Sequence, residues 1–155
     1  QRDAHGQLTL RSNSGNLERA GYTFGGWRTV ADGSSGVSYS VSQTVDVTGD
    51  IQLFALWIGN PNTVTFKANF PSPPSDSTQV IISGVPTSLS ANAFSRPGYA
   101  LRGWNALADG SSTSYSNSQT VSIIGPLTLF AQWTLEIYTV TFDYNGATGQ
   151  LTIYL

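Results

Sequence analysis

The sequence repeats itself. GYTFGGWRTVADGSS at 21–35 returns as GYALRGWNALADGSS at 98–112, SYSVSQTV at 38–45 as SYSNSQTV at 114–121, and IQLFALW at 51–57 as LTLFAQW at 127–133. With Gly36 set aside as an insertion, 21 of the 36 positions aligned between 21–57 and 98–133 are identical. A length of 155 residues would suit one domain, but a period of about 75 residues requires units that each fold as one assembly and stack on their neighbours. The offset is 77 before Gly36 and 76 after it, and TVTF at 63–66 recurs at 139–142, so a third copy opens near Tyr138. GQLT at 149–152 matches GQLT at 6–9, which places the start of the chain at the second strand of a first copy, within a longer array. The expected units are 1–58, a module lacking its first strand; 59–134, a complete module; and 135–155, the first strands of a third.

Within a unit the signals are those of strands. Ile51, Leu53, Ala55 and Trp57 alternate with other residues, as do Leu127, Leu129, Ala131 and Trp133, and a period of two predicts that each set faces a core. At 63–66 and 139–142 Val and Phe point inward and Thr outward, and 79–83 reads as a further strand. ADGSS predicts a turn, because Asp supplies a side-chain acceptor and Gly accepts positive φ. In the GY…GW motif, glycine lets backbone or a ring approach closely. One short helix per unit is expected, at 88–94 before Pro97 and at 13–19. The proline-rich stretch at 71–75 is a loop peculiar to the second copy. The fold class is therefore β-rich α+β.

YTVTFDYNG at 138–146, RAGYTFGGW at 19–27 with RPGY at 96–99, and LFAQW at 129–133 together resemble the Listeria-Bacteroides repeat, or internalin B-repeat, family. The resemblance runs over nearly the whole chain. It implies tandem β-grasp, ubiquitin-like modules on bacterial surface proteins, used as spacers or adhesive segments, with no catalytic residues to carry over. The second copy departs from the pattern at Ala100, Leu101 and Arg102, and its proline loop replaces the DYNG sequence of its first hairpin.

Chemistry is sparse. Cysteine is absent and His5 is the one histidine, which removes disulfides, thiolates and His/Cys metal sites; His5 precedes the first strand and has no partners in sequence. Asp32 and Asp109 are the acids that recur, but they occupy equivalent turns of different units, whereas two-carboxylate hydrolysis needs a converging pair. Asp46 and Asp50 could bracket a calcium loop, yet the second copy has Ser122 and Pro126 there, which favours a plain turn. Lys67, the sole lysine, reads as a solvated charge on a strand edge. Tyr22, Trp27, Tyr39, Tyr99, Trp104 and Tyr115 recur at matched positions, so packing is their first role; exposed aromatics binding a glycan or protein form the alternative. A net charge of −2 with scattered basic residues excludes a phosphate-tracking surface, and no apolar run approaches the ~20 residues of a membrane span. No enzyme, cofactor or metal is expected. The expected function is a structural or adhesive region at the bacterial cell surface, contacting a surface protein or glycan of a host or neighbouring cell. Residues 138–155 are expected to add head to tail to the open edge of the first copy of another molecule, or else to fray.

Overall fold

The computed structural model describes residues 6–32, 35–139, 142 and 145–146. Twelve strands and no helix occur among them. In the first copy, β2 (Tyr22–Arg28) lies between β3 (Ser38–Tyr39) and β5 (Phe54–Gly59), while β1 (Gln7–Thr9) pairs with β4 (Thr44–Asp46). In the second, β6 (Pro61–Lys67), β7 (Ser77–Ile82), β9 (Tyr99–Asn105), β10 (Ser114–Tyr115) and β12 (Leu127–Leu135) form one sheet in the order β10-β9-β12-β6-β7, and β8 (Thr87–Ser88) pairs with β11 (Thr120–Val121). The pairs in the large sheet are antiparallel except β12 with β6, which run parallel.

The repeat carries through to register. Trp27 faces Tyr39 as Trp104 faces Tyr115. Phe24 pairs with Trp57 and Gly26 with Leu56, just as Leu101 pairs with Trp133 and Gly103 with Gln132, so both copies bulge at the same place. The glycine of each GW has positive φ, 130° at Gly26 and 150° at Gly103, and a side chain there would run into the carbonyl of Tyr39 or Tyr115. The motif therefore encodes a bulge whose neighbouring strand crosses too close for any Cβ.

The second copy closes around one core. Val64, Phe66, Ile81, Leu89, Trp104, Val121, Leu129 and Ala131 are buried together, and Trp104 takes the rings of Phe66 and Phe94 edge-on at 4.9 and 6.1 Å. Val64 and Phe66 alternate inward with Thr63 and Thr65 between them, as the sequence predicts. The inward set of the last strand holds for Leu129 and Ala131, both 0% exposed. Their counterparts Leu53 and Ala55 are only half-buried, and Ile51 is exposed. The cause is the partner strand. Leu127 to Phe130 are held by β6, whereas β9 takes over from Phe130 onward. Residues 51–53 have no strand on that side among the described residues, so β5 begins only at Phe54, where β2 pairs with it.

Three expectations are corrected. Neither helix forms: 88–94 leaves β8 without a helical turn, with Leu89 in the core and Phe94 packed against it, and 13–19 turns as a loop. Side-chain amides and one main-chain carbonyl have taken the backbone groups that a helix would use. The Gln79 side chain bonds both Ser88 O and Ser90 N, Leu89 N donates to Gln119 O, and Asn117 Oδ1 accepts from Asn92 N. Asn92 folds back onto Phe94, and Asn13 likewise bonds both backbone groups of Leu17. Ser- and Asn-rich segments of seven residues lose this competition, since helix nucleation is costly and local side-chain bonds are at hand. Second, β1 is the counterpart of β8, since Thr9 pairs with Thr44 by strand register and hydroxyl contact as Ser88 does with Thr120. Leu10 N donates to Gln43 O as Leu89 N does to Gln119 O. The first copy therefore enters the structure at the third strand position, not the second. Third, Lys67 lies on β6 between β12 and β7, so it is no edge charge; its Nζ meets Asp76 Oδ2 at 2.6 Å across the base of the proline loop. Of 138–155, only Tyr138, Thr139, Phe142, Asn145 and Gly146 are described, so the strands expected there lie outside the described residues.

Candidate functional site

The residues with chemical potential are dispersed into turns. Asp109 Oδ1 accepts from Ser111 N at 3.0 Å and from Ser111 Oγ at 2.7 Å, which closes the turn and, through the Ser111 side chain first and its backbone second, holds the carboxyl below its ordinary range. Asp32 sits in the matching loop between β2 and β3, on another sheet. Asp46 ends β4 opposite Gln7, and Asp50 is exposed beyond it. Among the described residues no group of three or more His, Asp or Glu is placed to hold a metal ion. His5 lies outside the described residues.

The recurring aromatics divide by task. Trp104 is 1% exposed, and Tyr115 packs against the same core. Trp27 is half-buried and donates its indole N–H to Arg11 O at 2.8 Å. Tyr22 and Tyr99 each carry a guanidinium over one ring face, Arg19 at 4.1 Å and Arg96 at 3.6 Å. A sugar would have to displace that cation to stack there.

A cavity of about 400 Å3 opens beside β9 and β10, lined by Gly103, Asn105, Asp109, Tyr115 and Gln132 among others. Asn105 forms its structural base. Its Nδ2 reaches Gly110 O, Ser112 O and Ser114 Oγ at 2.8 to 3.1 Å, and its Oδ1 accepts from Leu107 N and Ser112 N. The side chain is spent on tying the ADGSS loop to the sheet, leaving nothing directed at a ligand. Nothing in the repeat pattern pointed to Asn105, because the first copy has Arg28 in its place.

The most organised surface is the junction between the copies. One residue, Asn60, links β5 to β6. Its N–H donates to Gly21 O at 2.9 Å, its carbonyl accepts from Ser83 N at 2.9 Å, and its side-chain oxygen accepts from Thr23 Oγ1 at 2.6 Å. The Tyr22 hydroxyl lies where a side chain on Gly84 would be, and a Cβ on Gly21 would come within 2.9 Å of Ile124 and Ser83. The same link recurs one period later, where Glu136 N donates to Gly98 O at 2.9 Å. The glycine of each GY motif is thus the point at which the chain leaving a unit is tied back to that unit. Sequence reasoning placed Gly21 and Gly98 beside an aromatic and missed this second task, which depends on a residue about 40 positions away.

No solved structure matches the chain. It is similar to a protein of Evansella cellulosilytica named "Putative Gly-rich membrane protein", with 32% identity over 151 residues; the match covers 92% of this chain and 17% of that protein. The chain thus spans about a sixth of the length of that relative. The sequence profile of the Listeria-Bacteroides repeat domain matches twice in tandem, over 4–56 and 63–132, and those two spans contain the glycine and tryptophan of each Gly-Trp bulge, Gly26-Trp27 and Gly103-Trp104, and each ends one residue before a closing tryptophan. The chain belongs to the Listeria-Bacteroides repeat domain family.

Proposed function

We propose that this chain is a non-catalytic spacer in the extracellular part of a bacterial surface protein, each repeat being a β-grasp module set at a fixed angle to the next. The observation that carries this reading is the recurrence of the junction bond, Asn60 to Gly21 and Glu136 to Gly98. When each unit leaves its predecessor through the same short link, rotation and rise per unit are constant and length scales with copy number. The β-grasp assignment is supported by the order β7-β6-β12-β9-β10 with β6 and β12 parallel at its centre. Surface location is supported by family membership and by the membrane description of the relative. The absence of cysteine from the sequence makes the test clean. With Ser40→Cys and Ser116→Cys carrying spin labels, one in each copy, pulsed dipolar spectroscopy should give one narrow distance distribution. It should broaden severalfold when Tyr22→Ala and Asn60→Gly are added. A broad distribution in the otherwise unaltered chain would rule out a rigid spacer.

A further inference from the structure

We propose that β7 is an interface strand, through which two molecules of this chain pair antiparallel about a two-fold axis at Val80 and join their large sheets into one. This goes beyond the spacer reading and does not depend on it. In the order β10-β9-β12-β6-β7 the two edges of the sheet are finished differently. One edge is β10, which is only two residues long. The other is β7, six residues from Ser77 to Ile82 with no proline, no charge and an unbroken register against β6. Short strands, charges, prolines and bulges are the devices that keep an edge from pairing, and β7 carries none of them. It lies in the middle of the chain, in the copy whose five-stranded sheet is described in full.

The main chain of β7 shows which groups are on offer. Ser83 N donates to Asn60 O, directly opposite in the register, so the residues of β7 that bond to β6 are Ile81, Gln79 and Ser77. Thr78, Val80 and Ile82, between and beyond them, turn their N–H and C=O groups to the open side. Ile82 O takes Val85 N, which ends the strand, while Thr78 and Val80 have no main-chain partner on that side among the described residues. Their side chains leave the core as well: Val80 is 62% and Ile82 41% exposed, whereas Ile81 is buried. A second copy fits because this edge is its own complement. With Val80 opposite Val80 of the second molecule, Thr78 faces Ile82 in both directions, so outward N–H and C=O groups meet in pairs and β-branched side chains lie side by side. Charge favours the same occupant. No Asp, Glu, Lys or Arg stands between Asp76 and Arg96, so a charged segment gains no ion pair on this edge. Asp76 is itself held by Lys67, and in this register it falls opposite Gly84 of the second molecule, away from its own counterpart. Because both molecules use the same strand, the contact is isologous and closes at two.

Light scattering over a concentration series from micromolar to millimolar tests this. The unaltered chain should rise from 16.5 kDa to twice that mass and no further. Val80→Lys places a charge at an exposed site on the edge, so it should leave the thermal midpoint unchanged and keep the chain monomeric throughout. Cross-linking reads the register, in a chain that has no cysteine of its own. Directly opposed residues in such a pair lie ~5.5 Å apart at Cα, within reach of a disulfide. At a concentration where the unaltered chain is dimeric, Val80→Cys should therefore oxidise to a covalent dimer many times faster than Val41→Cys, an exposed control in the first copy. Thr78→Cys and Ile82→Cys chains should cross-link to each other and not to themselves. A monomer at every concentration, a dimer that survives Val80→Lys, or Val80→Cys oxidising no faster than Val41→Cys would each overturn the proposal.

Discussion

Trp104→Ala is expected to destabilise the second copy by about 3–5 kcal/mol. The indole is 1% exposed at the centre of the core, and its removal also forfeits edge contacts to Phe66 and Phe94 worth about 0.5–1.5 kcal/mol each. Small domains are stable by only ~5–15 kcal/mol in all, so a loss of this size exhausts much of the margin. Trp27→Ala, at the matching position, should cost roughly 2 kcal/mol, because Trp27 is half-buried and already borders a cavity. Urea titration followed by two-dimensional NMR reads the two copies separately. Equal losses at the two sites would mean that the copies have equally complete cores, contrary to the burial described here.

The second large effect is expected from Asn105→Ala. The side chain is 0% exposed and satisfies Leu107 N and Ser112 N while donating to Gly110 O, Ser112 O and Ser114 Oγ. Its loss leaves several backbone groups under the loop without partners, each a penalty of about 1–3 kcal/mol where water cannot reach, and a total of roughly 3 kcal/mol is expected. Asn105→Asp preserves shape and both acceptor bonds but turns a carboxylate toward the carbonyls of Gly110 and Ser112, so it should be no better than alanine. Thermal denaturation of both variants checks this; an Asp variant as stable as the unaltered chain would show that the donor half of the network contributes little.

These two residues mark the reach of the sequence. Trp104 was legible as core because duplication preserved it and a tryptophan beside a glycine has few other uses on a strand. The alternation of 63–66 was legible too, since inward Val and Phe with outward Thr leave one choice of face. Asn105 was not, because a buried amide announces itself only through partners, here two to nine residues away, that a loop brings round it. The two expected helices failed for a related reason. The stretch 88–94 stops before Pro97 as a short helix would, but Gln79 and Asn117 arrive from other elements to bond the backbone first, and no local propensity contains that information. The junction is legible only in retrospect, since Gly21 pairs with Asn60 and Gly98 with Glu136, residues that share nothing but position.

The central claim is that a repeat of this kind is completed by its first strand lying parallel to its last. Residue-resolved hydrogen exchange on the unaltered chain tests it most directly. Amides within 127–130 that bond to β6 should exchange with the slow core of the second copy, while their counterparts within 51–54 should exchange at rates typical of exposed loops. Equal protection of the two segments would contradict the account, because it would mean that the last strand is fixed without the first.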